Sequence, residues 1–125
     1  MHIAIIVGSH RKDSQSAKIG RFLQAQIESI GDHSCWTCDL GKHPLPLWDE
    51  EIGTDADHWA PLGELNAQLH SSEAVIVISP EWHGMVPAAV KNFFLVKNFS
   101  WVKKKFQVKH FFRVKKFFRG RCCRN

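Results

Sequence analysis

The sequence predicts an α/β fold built on a doubly wound parallel sheet. Two short runs of consecutive apolar residues, 3–7 and 74–78, are typical of strands buried on both faces of a sheet. Segments with apolar residues three and four positions apart indicate helices between the strands. Each apolar run leads directly into a polar turn, and ligands of open α/β sheets bind at the carboxyl ends of strands. The chain therefore predicts a ligand site formed by two turns.

The first unit consists of the strand at 3–7, a turn rich in hydroxyls and cations at 8–16, and a helix. Gly31 is typical of a helix end and marks the stop of this helix. Its apolar residues recur at helical spacing; they are Ile19, Phe22, Leu23, Ile27 and Ile30. The N-terminus of a helix attracts anions through its free N–H groups and its dipole. The unit therefore predicts a phosphate site.

Four side chains of this turn have the chemistry that a phosphate requires. Ser9, Ser14 and Ser16 could each donate a hydroxyl hydrogen bond, and Arg11 could add a charge-assisted one. The turn lacks the Gly-Lys-Ser/Thr ending of a P-loop, and it is not the Gly-x-Gly-x-x-Gly dinucleotide fingerprint. A solvated turn is the alternative interpretation of such a cluster.

The middle of the chain is less regular. Residues 33–40 are predicted to hold the second strand, although apolar and polar residues alternate poorly there. Residues 44–51 contain two prolines, which exclude a regular helix or a central strand. This segment is therefore predicted to be a loop.

A second helix, a third strand and a third helix complete the predicted order. Residues 57–70 predict a helix with Pro61 in its early part, and its apolar face consists of Leu62, Leu65 and Leu69. The third strand is predicted at 74–79, and a new helix opens at Pro87. This alternation is the first half of a doubly wound fold.

The turn after the third strand resembles a family signature. Residues 79–92 read Ser-Pro-Glu-Trp-His-Gly-Met-Val-Pro-Ala-Ala-Val-Lys-Asn and are similar to the Pro-Glu-Tyr-Asn motif of the NADPH-dependent FMN reductases. That flavodoxin-like family includes azo-, quinone- and chromate-reducing enzymes. Trp82 stands where the family usually has Tyr, His83 where it has Asn, and Met85 where Ser is common. The first turn resembles the family's Gly-Ser-x-Arg-x-x-Ser-x-Asn phosphate loop, with Ser16 in place of Asn.

The resemblance implies a flavodoxin-like fold and an FMN-dependent oxidoreductase. Such an enzyme moves electrons from NADPH or NADH through FMN to a flavin, a quinone or a similar small acceptor. Because the flavin carries the chemistry, no catalytic protein residue is assigned. The implied phosphate ligands are Ser9, Arg11, Ser14 and Ser16. The implied contacts to the isoalloxazine ring are Pro80, Glu81, Trp82, His83 and Gly84. The loop at 44–51 matches a family segment near the flavin and the dimer contact, so a homo-oligomer is one expected state.

The composition changes near residue 95. Residues 1–95 carry six Lys or Arg and all twelve acids, whereas residues 96–125 carry eleven Lys or Arg and no acid. No apolar run in 96–125 could serve as a buried parallel strand. We therefore expect a flavodoxin-like FMN-binding half-domain at 1–95, apparently truncated after the third strand and its following helix. A basic aromatic tail of out-of-family character would follow it.

The tail suggests two alternative functions. The chain could be an inactive product of truncation or of a frameshift. It could also bind a polyanion or an anionic membrane surface through its interleaved Lys, Arg and Phe residues. A disordered extension is favoured over such a binding module, and no specific nucleic-acid partner is expected.

Cysteine spacing and hydropathy define the remaining expectations. Cys35 and Cys38 have redox-motif spacing and are flanked by His33 and His43, but ordinary reduced thiols are the favoured interpretation, and no metal is assigned. His10 and His83 lie in the two binding turns.

No apolar run approaches the roughly 18 residues of a membrane span, and no signal peptide is recognised. A cytoplasmic location is expected.

Overall fold

A computed structural model of the protein describes residues 1–11, 13–50 and 57–96. Predictions that concern residues 97–125, which make up nearly all of the basic aromatic tail, lie outside the described residues. The elements alternate along the chain as β1 (His2–Val7), α1 (Gln15–Ile30), β2 (Ser34–Asp39), α2 (Ala60–Ser71), β3 (Ala74–Ile78) and α3 (Ala88–Val96). This order agrees with the order predicted from the sequence.

The three strands form one parallel sheet in the order β2-β1-β3. In the shared register, Ile5 of β1 lies opposite Thr37 of β2 and Ile76 of β3. The central strand β1 is buried on both faces, whereas the first four residues of β3 are only half-buried. Within the described part of the chain, β3 pairs with β1 alone, which explains its greater exposure. The apolar runs therefore identified both strands, and their parallel pairing confirms the predicted fold class.

Helices cover both faces of the sheet. On one face, Ile5 and Val7 of β1 pack with Ala17 of α1. On the other face, Ala4 and Ile6 pack against α2 and α3, whose buried members include Leu62, Leu65, Leu69, Phe93 and Val96. The central strand thus supplies both halves of the core, as a doubly wound sheet requires.

Helix α1 buries less of its predicted apolar set than the spacing suggested. Ile19, Leu23 and Ile27 pack against the core, but Phe22 is 62% exposed and Ile30 is 76% exposed. One helix face can contact the sheet, and these two side chains lie outside it.

Helix α2 begins three residues later than predicted, at Ala60 and not at Asp57. The later start places Pro61 in the first turn, where its missing N–H has no intrahelical partner to lose. A start at Asp57 would place Pro61 four residues into the helix, where its ring would clash with the Asp57 carbonyl. The prediction was wrong at this boundary for that reason.

Among the described helices, none is both long and apolar enough to cross a bilayer. The longest, α1, has 16 residues.

Asn92 of α3 fastens the proline-rich loop at 44–48 to the domain. Its side chain is buried, and its Oδ1 accepts a hydrogen bond of 2.8 Å from the Trp48 N–H. Its Nδ2 donates to the carbonyls of Pro46 at 2.7 Å and Leu45 at 3.5 Å. One amide group therefore fixes a loop that is 44 to 47 residues away in sequence.

We expect Asn92→Ala to lower the free energy of unfolding by about 1–3 kcal/mol, because it leaves the loop's N–H and carbonyl groups without their protein partner. Urea denaturation followed by circular dichroism would measure the change. Leu95→Ala is the matched control, since Leu95 lies on the same helix and is 56% exposed. Equal stability of the Asn92 variant and the control would show that these hydrogen bonds contribute nothing measurable to the stability of the fold.

Candidate functional site

Two loops meet at the carboxyl edge of the sheet, as the sequence predicted. The loop after β1 and the loop after β3 together line a cavity of about 260 Å³. Seven of the nine predicted site residues line it: Ser9, Arg11, Ser14, Ser16, Pro80, Glu81 and Trp82. His83 and Gly84 belong to the tight turn that follows Trp82 and are not among the lining residues. The cavity is further lined by Asp13, Gln15, Ile19, Ile78 and Ser79.

The first loop is organised by its serines. Ser14 is the N-cap of α1, and its Oγ accepts a hydrogen bond of 3.0 Å from the Ala17 N–H. Because that bond uses the oxygen as an acceptor, the hydroxyl hydrogen of Ser14 can still be donated to a ligand. Ser9 is 2% exposed, and its Oγ accepts a bond of 3.3 Å from the Arg11 N–H. Ser14 thus combines the capping of the helix with a position in the cavity wall.

The charges around the cavity are mixed. Arg11 supplies a cation, whereas Asp13 and Glu81 supply two carboxylates among the described lining residues. All three side chains belong to exposed residues, so solvent weakens their Coulomb interactions. Asp13 precedes the N-cap of α1 and interacts favourably with the helix dipole. An anion here would therefore depend on hydroxyls, backbone N–H groups and Arg11 more than on net positive charge.

The second loop ends in a tight hairpin. The N–H groups of Trp82 and Met85 donate to each other's carbonyls at 3.0 and 2.9 Å. The two residues between them, His83 and Gly84, have φ angles of 49° and 76°. Positive φ at both central positions defines the type I′ turn, for which Asn-Gly is the favoured pair. His is enriched among the non-glycine residues with positive φ, so His83 can occupy the position where the family usually has Asn.

Trp82 connects the two loops. The Arg11 guanidinium carbon lies 4.5 Å from the centroid of the indole ring, within the range of a cation–π contact. The His10 ring packs on the same indole, with centroids 4.6 Å apart and planes inclined by 50°. From the sequence, Arg11 was predicted to belong to the phosphate loop and Trp82 to the ring loop. The structure brings them into direct contact.

The Cys35-Trp-Thr-Cys38 motif lies within β2, where residues three apart face opposite sides of the sheet. Three strand residues span roughly 10 Å, beyond the Cα separation of a disulfide. Burial, with Asp39 and Glu64 nearby, raises the pKa of the Cys38 thiol to about 11, and burial also raises the pKa of Cys35. Both groups are therefore thiols at neutral pH. In the described ranges, no three His, Cys, Asp or Glu side chains are placed to hold a metal ion together.

Comparison with known proteins assigns the family. A model of the NADPH-dependent FMN reductase family matches residues 1–114. The chain belongs to this family. The match includes the complete described sheet and both loops, and it continues through the first part of the basic segment at 96–125.

Proteins similar to this FMN reductase family member include two quinone reductases and a flavoenzyme of known structure. A quinone reductase of Pseudomonas putida is 30% identical over 100 residues, which cover 72% of this chain and 46% of the relative. A 2-hydroxy-1,4-benzoquinone reductase of a Burkholderia species is 27% identical over 92 residues, covering 74% and 47%. The solved structure of FerB, a flavoenzyme NAD(P)H:(acceptor) oxidoreductase from Paracoccus denitrificans, has a TM-score of 0.59 and 30% identity, covering 73% and 47%. The chain thus spans about half the length of these relatives.

Some parts of the site were not predicted from the sequence. Asp13 and Gln15 flank the predicted phosphate ligand Ser14, which is the N-cap of α1. Their position in the sequence could therefore have identified them as lining residues. Ile78 ends the apolar run at 74–78 and Ser79 follows it directly, so their place just before the second loop could have identified them. The contacts of Trp82 with Arg11 and His10 join residues about seventy positions apart, and no local pattern indicates them.

Proposed function

We propose that this chain forms part of an FMN-dependent oxidoreductase. The enzyme would transfer electrons from NADPH or NADH through FMN to a quinone, a flavin or a similar small acceptor. One observation carries the proposal: the loops after two adjacent parallel strands converge on one cavity, and the N-terminus of the 16-residue helix α1 lies at that cavity. The names of the quinone-reducing relatives support the class of acceptor.

The two loops that line the cavity offer different groups, as the phosphate and the ring of a flavin nucleotide require. The phosphate would be held by the buried hydroxyls of the first loop, by the helix N-terminus and by a guanidinium, and the proposed residues are Ser9, Arg11, Ser14 and Ser16. The isoalloxazine would be lined by the second loop, and the proposed residues are Pro80, Glu81, Trp82, His83 and Gly84. The volume of about 260 Å³ is slightly below the roughly 300–1,000 Å³ of typical ligand pockets, so these residues would supply part of the site.

FMN, when bound, supplies the redox chemistry by accepting a hydride and passing electrons on. The protein's own residues bind and orient. Hydroxyl and guanidinium donors would fix the phosphate, and the indole of Trp82 would pack near the ring. The type I′ turn keeps the second loop short, because only two residues connect the paired positions Trp82 and Met85. None of these roles requires a protein acid or base.

A binding titration tests the proposal directly. The full chain should bind FMN with a dissociation constant below about 0.1 mM and change the fluorescence of the flavin. Riboflavin, which lacks the phosphate, should bind more weakly. Trp82→Ala should weaken both ligands, because it removes a packing surface shared by both. If FMN and riboflavin bind equally or not at all, the proposed phosphate site is wrong. Oxidation of NADPH with a quinone then tests the acceptor class.

The division at residue 95 and the oligomeric state stay predictions. We propose the FMN-binding half at 1–95 on the strength of the two loops, both of which lie within it. A homo-oligomer and a small-molecule electron acceptor are proposed from the family membership.

A further inference from the structure

The turn after β2 lies directly against the first loop. Residues 39–43 form this turn, with N–H groups of Lys42 and His43 donating to the Asp39 carbonyl at 3.0 and 2.9 Å. The Gly41 N–H donates to Asp39 Oδ1 at 3.0 Å, which fixes the glycine within the turn. The turn begins where the Leu40 N–H donates to the Val7 carbonyl at 3.0 Å. It is therefore anchored to the end of β1, where the first loop starts.

Gly41 has no room for a side chain. A Cβ atom at this position would lie 2.8 Å from the Ser9 carbonyl oxygen and 2.9 Å from the Arg11 carbonyl oxygen. It would also lie 3.2 Å from Asp39 Oδ1. The first two neighbours are backbone atoms, which cannot rotate away as the end of a long side chain can. The packing of the two loops thus depends on a residue without a Cβ.

This close approach involves two peptide groups of the first loop. The carbonyl oxygens of Ser9 and Arg11 are the two atoms nearest to the Cβ position of Gly41, and Gly41 is not among the residues lining the cavity. In a trans peptide the N–H points opposite to the carbonyl, so a Ser9 carbonyl that faces Gly41 places the His10 N–H on the other side of the peptide group. Carbonyl oxygens repel an anion and N–H groups attract it. Turning the carbonyls toward the glycine therefore favours an anion on the opposite side of the loop.

We propose that Gly41 is a positioning residue of the anion-binding loop, acting through the Ser9 and Arg11 peptide groups. The proposal rests on the proposed function, because the anion it concerns is the phosphate of a flavin nucleotide. Gly41 does not contact the ligand; it allows a backbone orientation that any larger residue would disturb. The third loop at this edge of the sheet thus contributes to ligand choice.

The test compares FMN with riboflavin in titrations of the full chain. Gly41→Ala should weaken FMN binding by about tenfold, the effect of losing one hydrogen bond to a charged group. Riboflavin binding should change by less than about twofold, since it makes no phosphate contact. A general loss of packing would weaken both ligands equally, so the ratio of the two affinities separates positioning from a merely structural role.

Gly63→Ala is the matched control. Gly63 lies in α2, and a Cβ there would meet nothing within 4 Å. This variant should keep the FMN-to-riboflavin ratio of the wild-type chain. A thermal melt of each variant verifies that the compared proteins are folded.

If the Gly41→Ala chain does not fold, a second pair of variants tests the same proposal. Asp39→Ala removes the acceptor that holds the Gly41 N–H, whereas Asp39→Asn keeps an oxygen in the same place without the charge. The Ala variant should lose part of the preference for FMN, and the Asn variant should keep it. Unchanged preference in Asp39→Ala would overturn the proposal, as would unchanged preference in a folded Gly41→Ala chain.

Failure of the proposed function gives a different result. If the wild-type chain itself shows no preference for FMN over riboflavin, the phosphate site is wrong, and Gly41 has no such role. If the wild-type chain prefers FMN and every folded variant keeps the same FMN-to-riboflavin ratio, the phosphate site stands and the role of Gly41 is lost.

Discussion

Gly8→Ala is expected to destabilise the domain by about 3 kcal/mol or more, the upper part of the range for an overpacked core. Gly8 is buried at the end of β1, and its N–H donates to the Ile78 carbonyl at 2.8 Å. A Cβ at this position would overlap a γ-methyl group of Val90 in α3 and would lie 2.9 Å from the Ile78 carbonyl oxygen. The added atom would therefore push β1, β3 and α3 apart at one point.

Urea denaturation of the variant measures this loss of stability. Two further variants show whether the loss arises from overpacking. Gly63→Ala, at an open helical position, should be stabilising by about 0.5–1 kcal/mol, because alanine costs less backbone entropy than glycine. Val90→Ala removes the overlapping methyl group, so the double variant with Gly8→Ala should lose less than the sum of the two single losses. The carbonyl of Ile78 is unaffected, so recovery should be partial. A Gly8→Ala chain as stable as the wild type would contradict the packing described above.

Gly8 also fixes the point at which the first loop begins. Since Gly8 closes the contact between the ends of β1 and β3, the residues that follow it start at the carboxyl edge beside the second loop. A disturbance at Gly8 would therefore alter the site as well as the stability. For this reason, weaker flavin binding by Gly8→Ala would not by itself identify a contact with the ligand.

The two buried strands and the two loops were predictable because their signals are local. Consecutive apolar residues identified β1 and β3, and turn residues directly after them identified the loops. Parallel pairing then places both loops at one edge, so the sequence alone led to the shared cavity. Strand β2 was a weaker prediction, since four of its six residues are half-buried and its pattern does not alternate clearly.

The missed features depend on residues far apart in the chain. Gly41 touches the carbonyls of Ser9 and Arg11 across about thirty residues, and a glycine after a strand carries no sign of such a contact. Asn92 was recognised as part of a family pattern, but its bonds to the loop at 44–48 become visible only in the fold. The start of α2 was a local feature, and applying the i−4 rule for Pro61 would have placed it correctly.

Arg11→Ala is expected to weaken FMN binding by about 1.5–3 kcal/mol, the value of a hydrogen bond to a charged group. This corresponds to a loss of roughly 10- to 150-fold in affinity. Arg11 lines the cavity together with the buried hydroxyls of Ser9 and Ser14, where the phosphate is proposed to bind. Flavin fluorescence titrations at constant ionic strength measure the change, since salt weakens contacts between charges.

The contact between Arg11 and Trp82 makes riboflavin an essential comparison. Removing the guanidinium also removes its packing on the indole, a contact of about 0.5–1 kcal/mol at an exposed site. That loss would disturb the surface offered to the ring and would affect FMN and riboflavin to the same extent. The phosphate contribution is therefore the difference between the two losses, which should be at least about 1 kcal/mol.

Arg11→Lys separates charge from geometry. Lysine keeps the positive charge but not the planar fork that binds two phosphate oxygens at once, so it should retain only part of the affinity for FMN. A lysine variant equal to the wild type would mean that Arg11 acts as a point charge. Equal weakening of FMN and riboflavin by Arg11→Ala would mean that Arg11 supports Trp82 and the second loop. In that case the phosphate would have to be held by the serine hydroxyls and the N-terminus of α1.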